Sequence, residues 1–422
     1  MAMPADTLSG SIDLKNPDLY ATGNFHAAFT ALRREDPVHW NREADGPGFW
    51  ALTKYEDVEY VSKNPGLFGS AREIGGHRIF DEMEVAAASG GNSEGLDASM
   101  ISMDPPGHIR YRRMVTPGFT PARLKAMEDG LRARAARLVD AIADKGEADF
   151  IAAIAAPFPI ETLAELFGVP SSDGPKLFEW SNAVVGEDDP ELRSGQDYID
   201  RCIMDMAIYS AGLWAERKAA PGDDLISMLA HSDVDGGMSM ERYLSTFILL
   251  VVAGNETTRN SISGGLLALD ETPDQRAALL NDLSLLQNGA AEIVRWVSPV
   301  LHMRRTAIED TEIRGRRIAK GDKLVMWYCS ANRDEEVFDD PFRFDLARAD
   351  AKKQLGFGTG QHTCLGNRLA ELQIRVMYEE LFSRLPDIRL AGPVRRLRSN
   401  FISGIKEMPV VFTPEKKRRR EI

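Results

Sequence analysis

Residues 357–366 read FGTGQHTCLG, and this stretch carries the strongest structural signal in the sequence. Two glycines precede Cys364 and allow the backbone to turn tightly under a flat ligand, where a Cβ atom would clash. A helical pattern follows over residues 367–381, so Cys364 stands at a helix N-terminus. Amide groups and the helix dipole favour an anionic sulfur there. The stretch therefore predicts a thiolate at Cys364.

Composition limits the classes of function that the rest of the chain can have. The 422 residues are 43% hydrophobic and 27% charged, and the net charge of −13 argues against nucleic acid as a partner. Cys202 and Cys329 lack a glycine loop and are interpreted as buried apolar side chains. Three distant cysteines make a disulfide framework unexpected, which favours the cytoplasm. The apolar run at residues 247–253 is far shorter than the ~20 residues of a membrane span, so no membrane anchor is expected.

The hydrophobic pattern predicts one mainly α-helical domain, spanning residues 1–422, with small β-sheets near both ends. Disorder is expected at the first few residues and in the tail, 415–422. Residues 70–98 are predicted to form a long loop with short helices, of the kind that lines a site. The predicted helices are 25–34 and 55–64, with an almost wholly helical stretch over 106–285. The predicted strands are 38–40, 49–52, 311–318, 324–328 and 409–412.

A long helix is predicted from Ser239, a plausible N-cap, to Leu269. Its centre, residues 253–258, reads AGNETT, and Gly, Asn and Thr are poor helix formers. A local bend or a π-type bulge is therefore expected there, and such bulges often mark functional sites. The alternative interpretation is a bent core helix in which Glu256 faces solvent.

Both stretches resemble the cytochrome P-450 family, and the resemblance covers nearly the whole chain. The family's heme loop reads Phe-Gly-x-Gly-x-His-x-Cys-x-Gly, and its oxygen-binding stretch reads Ala-Gly-x-[Asp/Glu]-Thr-[Thr/Ser]; every fixed position is matched here. The resemblance implies the family's triangular, mostly α fold, with heme b between the long helix and the cysteine loop. It also implies that Cys364 is the axial ligand of the iron, which favours O–O cleavage.

The resemblance assigns further roles residue by residue. Glu256 and Thr257 would be the acid–alcohol pair that delivers protons during oxygen activation, and Gly254 would leave room for oxygen. Glu292, Arg295 and Arg343 would form a structural ion network, although Phe342 replaces the usual Glu of that segment. The residues implied to bind heme are His108, Arg112, Arg305, His362, Phe357, Gly358 and Gly366.

The family positions that wall the substrate pocket are mostly aliphatic in this chain, which suits an apolar substrate. The implied walls lie at 70–98, 184–203, 249–253, 300–303 and 401–405. The individual residues implied to contact substrate are Val252, Ala253, Val300, Leu301 and Ile402.

The implied activity is that of a monomeric monooxygenase, which inserts one atom of O₂ into a C–H bond of a sterol, terpenoid, alkane or fatty acid. Electrons would come from NAD(P)H through a separate ferredoxin reductase and ferredoxin, because no flavin or iron–sulfur domain fits in this length. A possible basic docking face comprises Arg110, Arg112, Arg113, Lys352, Lys353 and Arg368. The alternatives are a heme-thiolate enzyme that uses peroxide or reduces a nitrogen oxide, and a non-catalytic heme-binding or gas-sensing protein.

Overall fold

The computed structural model describes residues 12–44, 46–84, 99–186, 189–192 and 195–415. The disordered start predicted from sequence, the tail from residue 416 and residues 85–98 of the predicted loop lie outside these ranges. Glu415, the first residue of the predicted tail, is described, and its Oε1 accepts a hydrogen bond of 3.0 Å from Arg384 Nε.

The α-helices carry most of the structure and are numbered here in chain order. They are α1 (Asp18–Ala21), α2 (His26–Glu35), α3 (Tyr55–Lys63), α4 (Gly107–Val115), α5 (Pro121–Asp140), α6 (Pro157–Phe167), α7 (Gly174–Val185), α8 (Gln196–Ala219), α9 (Leu225–Ala230), α10 (Met240–Glu271), α11 (Pro273–Asn281), α12 (Leu286–Val297), α13 (Tyr328–Ala331) and α14 (Asn367–Arg384). Among the described residues, none of these helices combines the length and the apolar character that a membrane crossing needs.

The strands form small sheets around this helical body. They are β1 (Val38–Asn41), β2 (Phe49–Leu52), β3 (Phe68–Gly69), β4 (Glu147–Asp149), β5 (His302–Ala307), β6 (Thr311–Ile313), β7 (Arg316–Ile318), β8 (Lys323–Trp327), β9 (Arg389–Leu390), β10 (Arg395–Arg396), β11 (Ile405–Glu407) and β12 (Pro409–Val411). The largest sheet has the order β1-β2-β8-β5-β3, in which β2 and β8 run parallel. The other sheets are β4-β12-β9 and the pairs β6-β7 and β10-β11.

The local sequence signals located most of the early elements. Helices α2 and α3 and strands β1 and β2 are confirmed to within one residue of the predicted bounds. Strand β5 was not predicted, because its buried positions are occupied by His302, Arg304, Arg305 and Thr306 rather than by apolar residues. A strand that buries cations lacks the alternation of apolar and polar residues by which strands are recognised.

The long helix α10 begins as predicted, since Ser239 Oγ accepts a hydrogen bond of 3.3 Å from the Arg242 amide. The predicted π-type bulge is wrong, because residues 253–258 are α-helical throughout. Two hydroxyls here bond back to the carbonyl four residues earlier, Thr257 Oγ1 to Ala253 O at 2.7 Å and Ser261 Oγ to Thr257 O at 2.8 Å. A π-helical turn occurs instead at residues 151–155, which pack against α10.

The core forms around α10, which packs against α6, α7, α8, α12 and α14. Tyr378 on α14 donates a hydrogen bond of 2.5 Å to the carbonyl of Ile262 on α10. Gly265 makes this approach possible, because a Cβ atom there would lie 2.5 Å from Tyr378 Oη and 2.9 Å from Ile293 on α12. The packing of these three helices therefore depends on the missing side chain at position 265.

A buried ion network joins α12 to the segment before the cysteine loop. Glu292 and Arg295 are fully buried and form a two-point pair, with Nε to Oε2 at 2.6 Å and Nη2 to Oε1 at 2.8 Å. The third member is Arg348, whose Nε lies 3.2 Å from Glu292 Oε1. The prediction of Arg343 for this place is wrong. Its side chain is 58% exposed and lies 3.8 Å from Asp274, and only its carbonyl oxygen accepts from the network.

This arrangement predicts unequal effects of two arginine substitutions. Arg348→Met leaves part of the Glu292 charge buried and uncompensated, and should lower the free energy of unfolding by about 3–5 kcal/mol. Arg343→Met, the matched control, removes an exposed side chain and should cost less than about 0.5 kcal/mol. Urea denaturation of both variants measures the difference. Equal losses would contradict the assignment of Arg348.

Candidate active site

The cysteine loop is held by its own backbone and by α3. The Cys364 amide donates a hydrogen bond of 2.8 Å to the carbonyl of Phe357, which closes the loop. Gly358 and Gly360 have φ values of 65° and 69°, a region that disfavours side chains. A Cβ atom at Gly360 would also lie 2.4 Å from the carbonyl oxygen of Ser62 on α3. The loop thus needs glycine for its turns and for its contact with α3.

Cys364 has a different environment from the other two cysteines. It is exposed, whereas Cys202 and Cys329 are buried, and Gly366 beyond it is the N-cap of α14. Although the residue is accessible, the protein atoms around the sulfur partly desolvate it, which raises the pKa of the Cys364 thiol, while the Gly366 amide and the Arg112 guanidinium act to lower it. The Gly366 amide and the Arg112 guanidinium are thus the groups of this chain that would favour a thiolate at Cys364.

Two histidines and two arginines from three separate elements lie beside this loop. His108 and Arg112 come from α4, Arg305 from β5 and His362 from the loop itself. The rings of His108 and His362 have centroids 4.2 Å apart. Arg112 Nη2 donates a hydrogen bond of 2.6 Å to the carbonyl of Thr363. The structure therefore brings together the four residues that were predicted to hold the heme propionates.

The buried histidines and arginines beside the loop would be stabilised by a bound anion. Burial, followed by Arg112 and Arg305, lowers the pKa of His108 to about 4. Burial, followed by Arg305, His108 and Arg112, lowers the pKa of His362 to about 2. Burial also lowers the pKa of Arg305. His108 Nδ1 is buried and, among the described residues, has no hydrogen-bond partner. A pair of carboxylates would satisfy these groups, so the residues fit the two propionates of a heme.

The central part of α10 separates the two members of the predicted acid–alcohol pair. Glu256 is buried, its Oε2 pairs with Arg259 Nη2, and its Oε1 accepts a hydrogen bond of 3.3 Å from Asn255 Nδ2. Thr257 donates instead to Ala253 O at 2.7 Å. Successive residues of an α-helix point about 100° apart, so the two side chains leave α10 on different sides.

The environment of Glu256 is a polar network that the sequence reasoning missed. Burial raises the pKa of Glu256, against the opposing effect of Arg259. Arg259 Nη1 also donates to Asn182 Oδ1 at 3.1 Å, and Asn255 Nδ2 donates to Ser181 Oγ at 2.7 Å, both on α7. The spacing of three residues between Glu256 and Arg259 is the sequence signal that could have identified this pair.

Gly254 was predicted to leave room for oxygen, and this stays a prediction; the packing gives the glycine a separate role. A Cβ atom at Gly254 would lie 2.9 Å from Leu163 Cδ2, on the side of α6. The glycine therefore permits close packing of α10 against α6. The residues of α10 that lie on its more open side are Ala253, which is exposed, and Val252 and Thr257, which are half-buried.

Three of the predicted pocket residues share one apolar cluster. Val300 and Ile402 form a β-bridge, and both pack with Val252 of α10. The cluster also contains Leu192, Leu397 and Phe401.

Leu301 was predicted in the same pocket, and this prediction is wrong. The side chain is fully buried in another cluster, with Phe29 and Trp327, because successive side chains of an extended chain point to opposite sides. Its amide donates a hydrogen bond of 2.8 Å to the carbonyl of Phe401 and so fixes the pocket wall from behind.

Most residues of the predicted basic face are exposed. Arg113, Lys352, Lys353 and Arg368 are exposed. Arg112 is not part of this surface, because it turns inward to Thr363.

Comparisons with known proteins agree with this geometry. The family model "Cytochrome P450" matches residues 82–385. Linalool 8-monooxygenase of Pseudomonas putida is 46% identical over 96% of this chain and 99% of its own length. A methyl-branched lipid omega-hydroxylase of Mycobacterium tuberculosis is 40% identical over 97% of this chain and 96% of its own. The structure of Mycobacterium marinum CYP268A2 in complex with pseudoionone aligns with a TM-score of 0.87 and 35% identity, covering 97% and 100% of the two chains.

The fold, the cysteine loop and the cationic group beside it define a heme-thiolate monooxygenase. The chain belongs to the cytochrome P450 family. The predicted family, the mainly α fold class, the monooxygenase activity and the heme b cofactor are thereby confirmed.

Proposed function

We propose that this enzyme hydroxylates a carbon at the end of an apolar, methyl-branched hydrocarbon chain, such as that of a terpenoid or a branched lipid. The observation that carries the proposal is the aliphatic cluster of Val252, Val300 and Ile402, which joins α10 to the chain segments at 300–303 and 401–405. Aliphatic walls offer a substrate no hydrogen bonds and select it by shape and apolar area.

The names of the relatives support this substrate class. One relative is named for carbon 8 of linalool and another for the omega carbon of methyl-branched lipids. Both positions lie at the end of a branched hydrocarbon chain. The ligand named in the related solved structure, pseudoionone, is also a branched, open-chain isoprenoid.

Eight residues would hold the heme in this proposal. Cys364 would bind the iron, Phe357 and Gly358 would shape the loop beneath the porphyrin, and Arg112, Arg305 and His362 would bind the propionates together with His108. Gly366 begins α14 and directs its amide to the sulfur. When bound, the heme supplies the redox chemistry that activates O₂, and its thiolate ligand favours O–O cleavage.

Thr257 and Glu256 would supply protons to that chemistry. The Thr257 hydroxyl lies on the more open side of α10, where it can hold a proton after rotating away from Ala253 O. Glu256 is buried on the other side, and its raised pKa suits a group that gives and takes protons. To reach Thr257 its carboxyl group must leave Arg259 or act through water.

Thr257→Ala tests the proton role of the hydroxyl. The variant should keep the heme-thiolate spectrum and substrate affinity, because Thr257 makes only a local bond. Product formed per NAD(P)H should fall by about tenfold or more, with the lost electrons recovered as hydrogen peroxide. Thr258→Ala, the buried neighbour, is the matched control. Unchanged coupling of NAD(P)H to product in Thr257→Ala would refute the assignment.

We also propose that a ferredoxin delivers the electrons, with NAD(P)H and a ferredoxin reductase as their source. Lys352, Lys353 and Arg368 are exposed and flank the cysteine loop in sequence, and the exposed Arg113 follows Arg112, which bonds to that loop; the net charge of the chain is −13. A local basic surface on an acidic protein steers an acidic partner to that place.

Charge reversal tests this partner. The double variant Arg113→Glu, Lys353→Glu should slow reduction by ferredoxin about tenfold or more at low ionic strength, with a smaller difference at high salt. Peroxide-supported turnover should be unaffected. Arg317→Glu, which alters an 81% exposed cation on β7, is the matched control. An unchanged reduction rate at low salt would exclude this docking surface.

A titration tests the substrate class. Compounds with a methyl-branched chain end, beginning with linalool, should shift the heme Soret band and should be hydroxylated at that chain end. Adamantane, which is equally apolar but has no chain, should give a weaker shift and little product, because it cannot extend along the aliphatic walls. Preferred binding and oxidation of adamantane would contradict the proposal.

A further inference from the structure

Two segments of the predicted pocket wall meet at a contact between a cation and an aromatic ring. The Arg78 guanidinium carbon lies 3.9 Å from the centroid of the Phe401 ring and 4.7 Å from that of Phe80. Arg78 and Phe401 are half-buried. Phe401 also packs in the apolar cluster with Val252 and Val300. One end of this cluster is therefore formed by a ring that contacts a charged group.

His302 supports the Phe401 ring from behind. The two rings are nearly perpendicular, with centroids 5.4 Å apart, and His302 also lies 4.7 Å from the Trp327 ring. His302 Nδ1 lies 3.0 Å from the carbonyl oxygen of Asn400, so this nitrogen is the donor. Burial, followed by Arg78, lowers the pKa of His302 to about 3, so the ring is neutral and its orientation is fixed by this bond.

The N-terminal segment completes this support. Asn400 Nδ2 donates a hydrogen bond of 2.5 Å to the carbonyl of Lys15, and Arg398 Nε lies 2.5 Å from Asp18 Oδ1. Lys15 Nζ in turn lies 2.7 Å from Glu43 Oε1, next to β1. The side chains of Arg398 and Asn400, on either side of residue 399, are thus tied to residues 15–18. Phe401 thus has supporting contacts other than Arg78, whose guanidinium lies over the ring as a cation.

We propose that the Arg78–Phe401 pair closes one end of the substrate pocket and sets the greatest chain length that the enzyme accepts. An apolar chain that extended past Phe401 would have to separate the guanidinium from the ring or bury a methylene group against a charge. Both are unfavourable, because the cation loses its π contact and part of its hydration. This inference rests on the proposed function, since it requires a chain-like substrate.

The test uses 2-methylalkanes of increasing length and the heme Soret shift as the measure of binding. Wild-type enzyme should show a length beyond which affinity falls. In Arg78→Met and in Phe401→Leu this limit should move to longer chains, with affinity for the excluded chains rising about tenfold. Affinity for short chains should change less. The double variant should move the limit no further than a single variant does, because each removes the same contact.

Two controls separate this effect from damage to the protein. Arg42→Met removes an exposed arginine next to β1 and should keep the wild-type limit. The thiolate-type spectrum of each variant confirms that the heme site is intact. If Arg78→Met and Phe401→Leu both show the same chain-length limit as the wild type, this inference alone is overturned. If no member of the series shifts the Soret band of the wild-type enzyme, both this inference and the proposed function are overturned.

Discussion

The burial of Arg112, Arg305, His108 and His362 together beside the cysteine loop is the constraint that organises the site. Three elements that are distant in sequence place these groups together, and burial makes each charge more costly. The same burial raises the pKa of the Cys364 thiol. The protein therefore presents positive groups that suit an anion beside a sulfur that can bind a metal. A single ligand with carboxylates and a metal meets both needs, and heme is such a ligand.

The other side of the site is organised by the turn of one helix. Glu256 and Thr257 are adjacent in sequence, yet α10 directs the carboxyl group into a buried polar network and the hydroxyl to a more open side. Asn255 and Arg259 connect that network to Ser181 and Asn182 of α7. The charge of Glu256 is thus compensated within the protein when it is not engaged in proton transfer.

Sequence reasoning succeeded where the signal was local. The cysteine loop, the strand pair β1–β2 and the N-cap at Ser239 each depend on residues within a short stretch, and each is present. It failed where tertiary contacts decided the outcome. Arg348 rather than Arg343 enters the ion network, because only the fold determines which of two nearby arginines turns inward. The direction in which the Leu301 side chain points likewise depends on partners far away in sequence. The packing of Gly254 on α6 does so too.

The contact of Gly360 with Ser62 has a consequence for how the enzyme matures. The loop around Cys364 rests directly on the backbone of α3, about three hundred residues earlier in the chain. Its Arg305 and Arg112 neighbours come from two further distant segments. Contacts between such remote segments form late, since closing long loops costs entropy before any contact repays it. Cofactor capture therefore requires that segments from α3 to the cysteine loop have already come together.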